Sequence, residues 1–421
     1  MSNQQKQWGA IVVMIALFAM IAFVTNLCTP MATIIKNQGE ISNVLAQIGN
    51  YGNFVAYLLM GIPAGMLISK FGYKKTALIG LVVGIIGILI QWFSGQLDAK
   101  ENLGLVFGVY LAGAFIAGLC MCILNCVVNP MLNILGGGGN KGNQLIQLGG
   151  VFNSTAAVAC YILMGALIAD ATKAKIDDAT PALMIALAIF VVAFVVICFT
   201  KIEEPEQAPV QVKLIKEAMS YRHFALGALA IFLYMGIEVG VPNFVNLHLI
   251  ETGIPAGTVG MLVAVYWFMM LIGRLVGASI GGKVSSRVMI TTVSITTLVL
   301  VLFGMFAPTN ITVNFPGVDW GKLELIWQEV PLGIFAFLLV GLCTSVMWGG
   351  IFNMAVEGLG KYTAIASGIF MTMVFGCAVM MFIQASVADA TDYITSFWVV
   401  VFCAAYILFY ALIGSRVNKR A

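Results

Sequence analysis

Two charged residues lie inside long apolar stretches of this 421-residue chain. Glu238 is near the centre of one stretch, within YMGIEVGVPNF, and Arg274 lies within GRLVG in another. An ionised group in an apolar environment is costly, so each is a candidate functional residue. We expect Glu238 to bind a cation, either by taking up a proton or by supplying an oxygen ligand to sodium. The alternative is a structural bond from Glu238 to Arg274 or to a nearby amide, which would hold two helices together.

Arg274 is expected to act as a gate or as an anchor between domains. It lies about two turns from the end of its predicted helix. The alternative is that its side chain extends along the helix and places the guanidinium at the membrane interface.

Amides form the second group of polar residues in the apolar stretches. The segment LNCVVNP places Asn125 and Asn129 four residues apart, on one helix face, and Pro130 can bend the helix beside them. A single amide in a membrane helix is more often a contact between helices than a ligand. The number of amides in this chain nevertheless favours a polar cavity at the centre of the protein.

The composition places these helices in a lipid bilayer. Of all residues, 61% are hydrophobic and only 9% are charged, a balance that is rare in water-soluble proteins. A membrane helix needs roughly 20 mostly apolar residues, and twelve stretches of about that length alternate with polar connections. The predicted spans are 8–34, 43–68, 76–93, 104–135, 145–169, 181–200, 224–250, 258–281, 289–307, 331–354, 365–388 and 395–415.

The charges of the connecting loops predict how the chain lies in the membrane. Most of the 21 lysine and arginine residues fall on the side of the two termini, which the retention of positive charge assigns to the cytoplasm. The first apolar stretch is too long for the core of a cleaved signal peptide, so it is expected to remain as a span. No concentrated basic patch indicates a nucleic-acid partner.

The sequence does not indicate a metal ion, a resident cofactor or an enzyme. The nine cysteines all fall within predicted helices, which favours packing over disulfides or zinc ligation. His223 and His248 have no second ligand at metal spacing. The run GGGGNKGN at 136–143 lacks the end of a phosphate loop and predicts a flexible connection.

The chain divides into two similar halves. A charged segment at 201–223 is expected to be a cytoplasmic linker between the six-span bundles 1–200 and 224–421. The sequences GGVF and IADAT of the first half recur as SGIF and VADAT in the second. Small residues at 61, 65 and 69 recur at 273, 277 and 281, an offset of 212 residues. We therefore predict an all-α membrane protein of twelve helices in two pseudo-symmetric bundles, the architecture of major facilitator transporters.

Three motifs are similar to those of a known family. PAGMLISKFGYKK at 63–75 resembles the G-x-x-x-D-R-x-G-R-K signature of the major facilitator superfamily, with Ser69 in place of the acid. NPMLNILG followed by VFNS, together with AVEGLGKYTAIASG at 355–368, resembles the fucose:proton symporter family over most of the chain. This resemblance implies transport of a monosaccharide, usually inward and usually driven by a cation gradient.

The same resemblance places the family's functional residues, and several of them differ here. Thr29 and Asn125 stand where the fucose permease has two acids, so coupling through that pair is excluded. Gly150 replaces a glutamine that contacts the sugar, whereas Asn26 and Asn153 match asparagines of the family. The seventh predicted span resembles the glucose and galactose branch, which makes sodium as well as a proton a candidate coupling ion.

Amides suit sugar hydroxyls because they donate and accept, and aromatic faces cover the CH edges of a sugar ring. The candidate sugar-binding residues are Asn26, Asn50, Asn125, Asn129, Asn153, Asn243, Trp267, Trp348 and Asn353. The candidate coupling residue is Glu238, and the candidate gating residues are Arg274, Lys70 and Gly65.

These observations predict a secondary active transporter that imports a hexose or deoxyhexose across the cytoplasmic membrane by alternating access. One alternative is an uncoupled facilitator in which Glu238 is structural. A different class is a membrane-embedded sugar sensor, which the lack of an attached signalling domain disfavours. The transporter is expected to act as a monomer in the lipid bilayer, with sodium or a proton as a transported ion and no cofactor.

Overall fold

Twelve helices have the length that is needed to span a bilayer. The computed structural model describes residues 8–39, 42–97, 102–135, 139–167, 174–202, 213–280, 284–319, 322, 324–359 and 363–417. Within this part of the chain, twelve helical segments are long and apolar enough to span a membrane, which confirms the predicted number. Spans 1 to 12 are Trp8–Lys36, Gly49–Ile68, Lys70–Gly95, Leu103–Leu132, Leu148–Leu167, Ile176–Phe199, Arg222–Glu251, Ala256–Gly277, Ser286–Phe306, Leu332–Val356, Gly368–Ala390 and Tyr393–Gly414.

Several helices extend beyond their apolar spans or are followed by a short helical segment. Span 1 belongs to the helix Trp8–Gly39, and the next six helical elements are Asn43–Ala46, Ile48–Gly95, Leu103–Leu135, Gly139–Leu167, the 3₁₀ turn Ile176–Ala179 and Thr180–Phe199. The second half contains Lys213–Met219, Arg222–Glu251, Ala256–Ile280, Ser286–Phe306, Leu332–Val356, Thr363–Met373, Gly376–Ala390, Tyr393–Ser396, Trp398–Phe409 and the π-helical turn Tyr410–Gly414.

Breaks within these helices were not predicted. Spans 2 and 3 form one helical element that is interrupted at Gly72, where φ is 79°. Glycine suits this position because a side chain disfavours positive φ. Span 11 is interrupted between Met373 and Gly376. A window average of hydropathy does not register such local changes of direction, because the flanking residues stay apolar.

The connection between spans 9 and 10 forms a β-hairpin that the sequence analysis did not predict. Strands Thr312–Asp319 (β1) and Glu324–Pro331 (β2) pair antiparallel. Gly317 of β1 lies so close to Thr258 at the start of span 8 that a Cβ there would overlap its hydroxyl. The hairpin therefore covers the beginning of span 8.

Two predicted connections are partly helical. The prediction of a flexible run at 136–143 is wrong from Gly139 onward, because the helix of span 5 extends past its apolar segment; residues 136–138 lie outside the described part. In the predicted linker 201–223, Lys213–Met219 is helical and span 7 already begins at Arg222, while 203–212 are not described.

The two halves meet along two pairs of helices. Span 5 packs on span 8, where Gly260 lies against the carbonyl of Tyr161. Span 2 packs on span 11, where Gly61 lies against the backbone of Thr372. The sequence repeat relates span 2 to span 8 and span 5 to span 11, so the two interfaces are equivalent. Small residues at both contacts allow the backbones to approach closely.

Candidate functional site

Glu238 lies near the middle of span 7 and is partly buried. The Tyr234 hydroxyl, one helical turn earlier, lies close enough to interact with its carboxylate. The Arg274 guanidinium is close enough to interact electrostatically with the same carboxylate. Burial disfavours the ionised form of this acid, whereas the nearby positive charge and the hydroxyl favour it.

Residues of spans 8 and 10 hold the backbone around Glu238. The Tyr266 hydroxyl donates to the carbonyl oxygen of Glu238 at 3.0 Å and lies 3.2 Å from Thr344 Oγ1. The Tyr234 hydroxyl donates to the Thr344 carbonyl oxygen at 3.3 Å. The ring of Trp348 is 6.2 Å from the ring of Tyr234. These contacts join spans 7, 8 and 10 into one cluster around the acid.

Tyr266 and Thr344 were not singled out from the sequence. A tyrosine or a threonine in an apolar helix carries no polar signal of its own, because both residues are common packing residues there. Only the side-by-side placement of three helices distant in sequence reveals their role.

Arg274 reaches across to the other half of the protein. Its Nη1 donates to the Gly150 carbonyl oxygen at 2.5 Å and to Ser154 Oγ at 3.0 Å, and lies 3.5 Å from Asn153 Oδ1. A Cβ at Gly150 would lie 3.2 Å from that nitrogen. A residue larger than glycine at position 150 would therefore crowd the guanidinium beside span 5. This contact favours an anchor between the halves over a side chain directed to the membrane interface.

The predicted sugar-binding amides of the first half have partners within that half. Asn125 Nδ2 donates to the Tyr57 hydroxyl of span 2 at 3.0 Å. Asn129 Nδ2 donates to the Asn125 carbonyl oxygen at 3.1 Å, and Asn153 Nδ2 donates to a carbonyl of span 1 at 2.9 Å. Asn26 Nδ2 bonds to the preceding turn of its own helix at 2.8 Å. These four bonds use the amide nitrogens, and an amide oxygen can accept from a further donor, as Asn153 Oδ1 does from Arg274.

Three other predicted residues carry buried polar atoms that lack a hydrogen-bond partner among the described residues. Asn243 is fully buried, and neither its oxygen nor its nitrogen is paired. Trp267 Nε1 and Asn50 Oδ1 are also buried and have no hydrogen-bond partner among the described residues. Burial of an unpaired polar group is costly, so such atoms are candidates for ligand contact.

The remaining predicted residues lie toward the surface. Asn353 on span 10 and Lys70 after span 2 are exposed, and Gly65 is half-buried. Lys74 of the same motif has a clearer role, since its Nζ donates to the carbonyls of Cys198 and Thr200 at the end of span 6. The predicted roles of Asn353, Lys70 and Gly65 stay predictions.

A polar network joins the halves at the end of the molecule where span 1 finishes. The Asp389 carboxylate accepts from the backbone N–H groups of Asn43 and Val44 at 2.7 and 3.0 Å. Tyr393 donates to Asn43 Oδ1 at 2.5 Å and accepts from Lys36 Nζ at 2.5 Å. We call these five residues the end network; it ties span 1 and the turn before span 2 to spans 11 and 12.

Two helical halves that meet around polar residues at the middle of their spans have the architecture of a secondary transporter. Residues 11–383 match the family model of the Major Facilitator Superfamily, and the chain belongs to this superfamily of membrane transporters. The family and the relatives are transporters rather than enzymes.

The relatives extend over nearly the whole chain. The protein is 29% identical over 427 residues to the glucose/galactose transporter of Brucella abortus biovar 1 (strain 9-941), which covers 99% of this chain and 96% of that one. It is 20% identical to the L-fucose-proton symporter of Escherichia coli (strain K12) over 95% of this chain and 92% of that one. The crystal structure of the E. coli fucose:proton symporter aligns with a TM-score of 0.70 and 19% identity over 98% of this chain and 100% of that one. The family resemblance read from the motifs is confirmed, as is the predicted fold.

Proposed function

We propose that the protein imports a monosaccharide by alternating access and couples this transport to a cation that binds at Glu238. The observation that carries the proposal is the placement of Glu238. It is the acid at the middle of span 7, close to the Tyr234 hydroxyl and within the electrostatic reach of Arg274. Arg274 in turn bonds to the opposite half of the protein.

The amides and tryptophans support a sugar as the substrate. Asn243 and Trp267 bury polar atoms without a partner among the described residues, and a sugar hydroxyl can both donate to and accept from such atoms. Asn125, fixed by Tyr57, presents an uncharged amide to the interior. Related chains whose names state glucose, galactose or fucose as the substrate agree with a hexose or deoxyhexose.

In this proposal, coupling depends on Arg274, which interacts with Glu238 and also bonds to span 5. When a proton or sodium neutralises Glu238, the attraction between Glu238 and Arg274 weakens, and the bonds of Arg274 to Gly150 and Ser154 become relatively more favourable. Occupancy of the acid thereby changes the relative stability of the arrangements of the two halves, which is the requirement for coupled transport.

The second candidate function is an uncoupled facilitator, and the pair of Glu238 and Arg274 also supports it. Arg274 supplies Glu238 with a nearby positive charge, which can serve to neutralise a structural acid as well as to sense a transported ion. In that case, removal of the acid would leave sugar exchange and its lack of ion dependence unchanged.

The proposed setting is the cytoplasmic membrane, with both termini on the cytoplasmic side and a monomer as the working unit. The distribution of lysine and arginine supports this orientation. The exposed apolar surface of the spans, for example Val192 and Phe402, suits contact with lipid.

Uptake into proteoliposomes tests the proposal: vesicles without internal sugar measure accumulation, and vesicles preloaded with unlabelled sugar measure counterflow. Labelled glucose, galactose and fucose are offered with an inward sodium gradient, an inward proton gradient or neither. We expect accumulation of at least one sugar above equilibrium with one of the gradients. Glu238→Gln should retain counterflow and lose accumulation, because the neutral amide cannot exchange a cation. Glu324→Gln, in the exposed hairpin, is the matched control. Counterflow without accumulation in the wild type would establish the facilitator instead.

A further inference from the structure

The helix of span 7 lacks one of its own hydrogen bonds at Glu238. In an α-helix, the carbonyl of each residue accepts from the N–H four residues later. Four residues after Glu238 comes Pro242, which has no N–H and lies inside the helix. The carbonyl of Glu238 is therefore deprived of its regular donor in the middle of a membrane span. Water is scarce at this depth, so another protein group has to replace that donor.

Tyr266 of span 8 supplies the replacement. Its hydroxyl donates to the Glu238 carbonyl oxygen at 3.0 Å, and the hydroxyl is itself placed by Thr344 Oγ1 at 3.2 Å. Tyr266 is fully buried, so its hydroxyl does not depend on solvent for its position. The bond joins the backbone at the coupling candidate to spans 8 and 10.

The same pattern occurs in the first half. Pro30 lies within the helix of span 1, four residues after Asn26. Asn26 and Pro30 precede Glu238 and Pro242 by 212 residues, the offset that relates spans 2 and 8. Each of the two equivalent helices thus carries a polar residue whose carbonyl is freed by a proline. In the half that contains the acid, the freed carbonyl is held by a tyrosine from a neighbouring helix.

We propose that Tyr266 is a positioning residue of the coupling site: its hydroxyl replaces the N–H missing at Pro242 and fixes the backbone of Glu238, so that the carboxylate faces Tyr234 and Arg274. This inference rests on the proposed role of Glu238 in coupling. Loss of the hydroxyl frees the helix to bend further at Glu238, which displaces the carboxylate from its partners and weakens cation binding.

A double-mutant cycle between Tyr266→Phe and Pro242→Ala isolates this bond. Alanine at 242 restores the helical N–H donor to the Glu238 carbonyl, so the tyrosine hydroxyl becomes dispensable. In the proline background, Tyr266→Phe should raise the sodium or proton concentration for half-maximal accumulation by about tenfold, the effect of one unpaired buried carbonyl. In the Pro242→Ala background, the same change should shift that concentration by less than about twofold.

Tyr406→Phe is the matched control. Tyr406 also donates its hydroxyl to a carbonyl of span 7, that of Leu226, at 3.2 Å. Residue 230 is an alanine, whose N–H can serve that carbonyl, so loss of the Tyr406 hydroxyl should leave the cation dependence unchanged. Equal effects of Tyr266→Phe in both backgrounds, or an effect of Tyr406→Phe as large as that of Tyr266→Phe, would overturn the proposal.

The thermal unfolding midpoint of the four cycle proteins in detergent provides a readout that needs no transport. Tyr266→Phe should lower this midpoint in the proline background and change it little in the alanine background. A wild type without cation-driven accumulation would refute the coupling role of Glu238, whereas the midpoints would still decide whether Tyr266 replaces the missing donor. If Pro242→Ala fails to fold, the unfolding midpoints of Tyr266→Phe and Tyr406→Phe are compared instead. Tyr266→Phe should have the lower midpoint, and equal midpoints would contradict the proposal that the Tyr266 hydroxyl replaces the missing N–H.

Discussion

In the proposed function, Asn125 contributes to sugar binding and a different residue contributes to coupling. The family resemblance aligns it with an acid of the fucose permease, yet it is an uncharged amide that bonds to the hydroxyl of Tyr57. An amide can exchange hydrogen bonds with a sugar but cannot take up a proton at physiological pH. Glu238, in the other half, has a carboxyl group that can change its charge.

Asn125→Ala should weaken binding of the transported sugar by ~1–3 kcal/mol, because a sugar hydroxyl and Tyr57 would both lose a partner. Tyr57→Phe should have a smaller effect of the same sign, since it only releases the amide from its fixed position. Isothermal titration of the purified protein with the sugar measures both changes. Asn314→Ala, in the exposed strand β1, is the control, and an affinity equal to that of the wild type in Asn125→Ala would assign the amide a structural role.

Charged residues could be predicted from the sequence, and their uncharged partners could not. Glu238 and Arg274 stand out because charge is rare in an apolar segment. Tyr266 and Thr344 become visible only when spans 7, 8 and 10 are packed together. One signal was present in the sequence, namely Pro242 four residues after Glu238, which implies that some donor has to replace the missing N–H.

At the scale of helices, apolar length predicted the twelve spans because a bilayer requires about 20 apolar residues of any kind. The interruption at Gly72, the break within span 11 and the hairpin of β1 and β2 were missed. These features depend on a backbone angle or on contact with a distant helix, and neither changes the mean hydropathy of a segment.

Gly72→Ala tests whether the interruption of the helix Ile48–Gly95 requires a glycine. With φ 79° and ψ 174°, Gly72 lies in a backbone region that is essentially restricted to glycine, and a side chain there costs about 1–3 kcal/mol. This variant should therefore unfold at a lower temperature than the wild type in detergent. Gly108→Ala in span 4 is the matched control, because no atom lies within 4 Å of the added Cβ and alanine favours a helix. Unfolding of Gly72→Ala at or above the wild-type temperature would show that the turn tolerates another conformation.

At the scale of the molecule, the end network closes one end of the interface between the halves. Lys36, which bonds to Tyr393, also lies 4.0 Å from the carboxylate of Glu251 at the end of span 7. Arg274 bonds the halves nearer to the opposite end, through Gly150. Alternating access requires such contacts to break in turn, so their strengths set the populations of the two arrangements.

Asp389→Ala should weaken the closed end, because two backbone N–H groups lose a charged acceptor across the interface. Spin labels at Leu105 and Leu325, exposed residues of the two halves, report the separation by electron–electron resonance. We expect an added population at longer distance in the variant. Asp178→Ala, whose carboxylate accepts from Lys175 within the same half, should leave the distribution unchanged. An unchanged distribution in Asp389→Ala would contradict the proposed role of the end network in closing this end.

In the proposed function, the sugar is transported together with a cation that binds at Glu238. Sugar-evoked current from proteoliposomes on a solid-supported membrane tests it directly, since a neutral sugar carries charge only when an ion accompanies it. We predict a transient current on addition of the transported sugar to the wild type, and none from Glu238→Gln that still exchanges labelled sugar. Sugar exchange without current in the wild type, or an undiminished current in Glu238→Gln, would contradict the account.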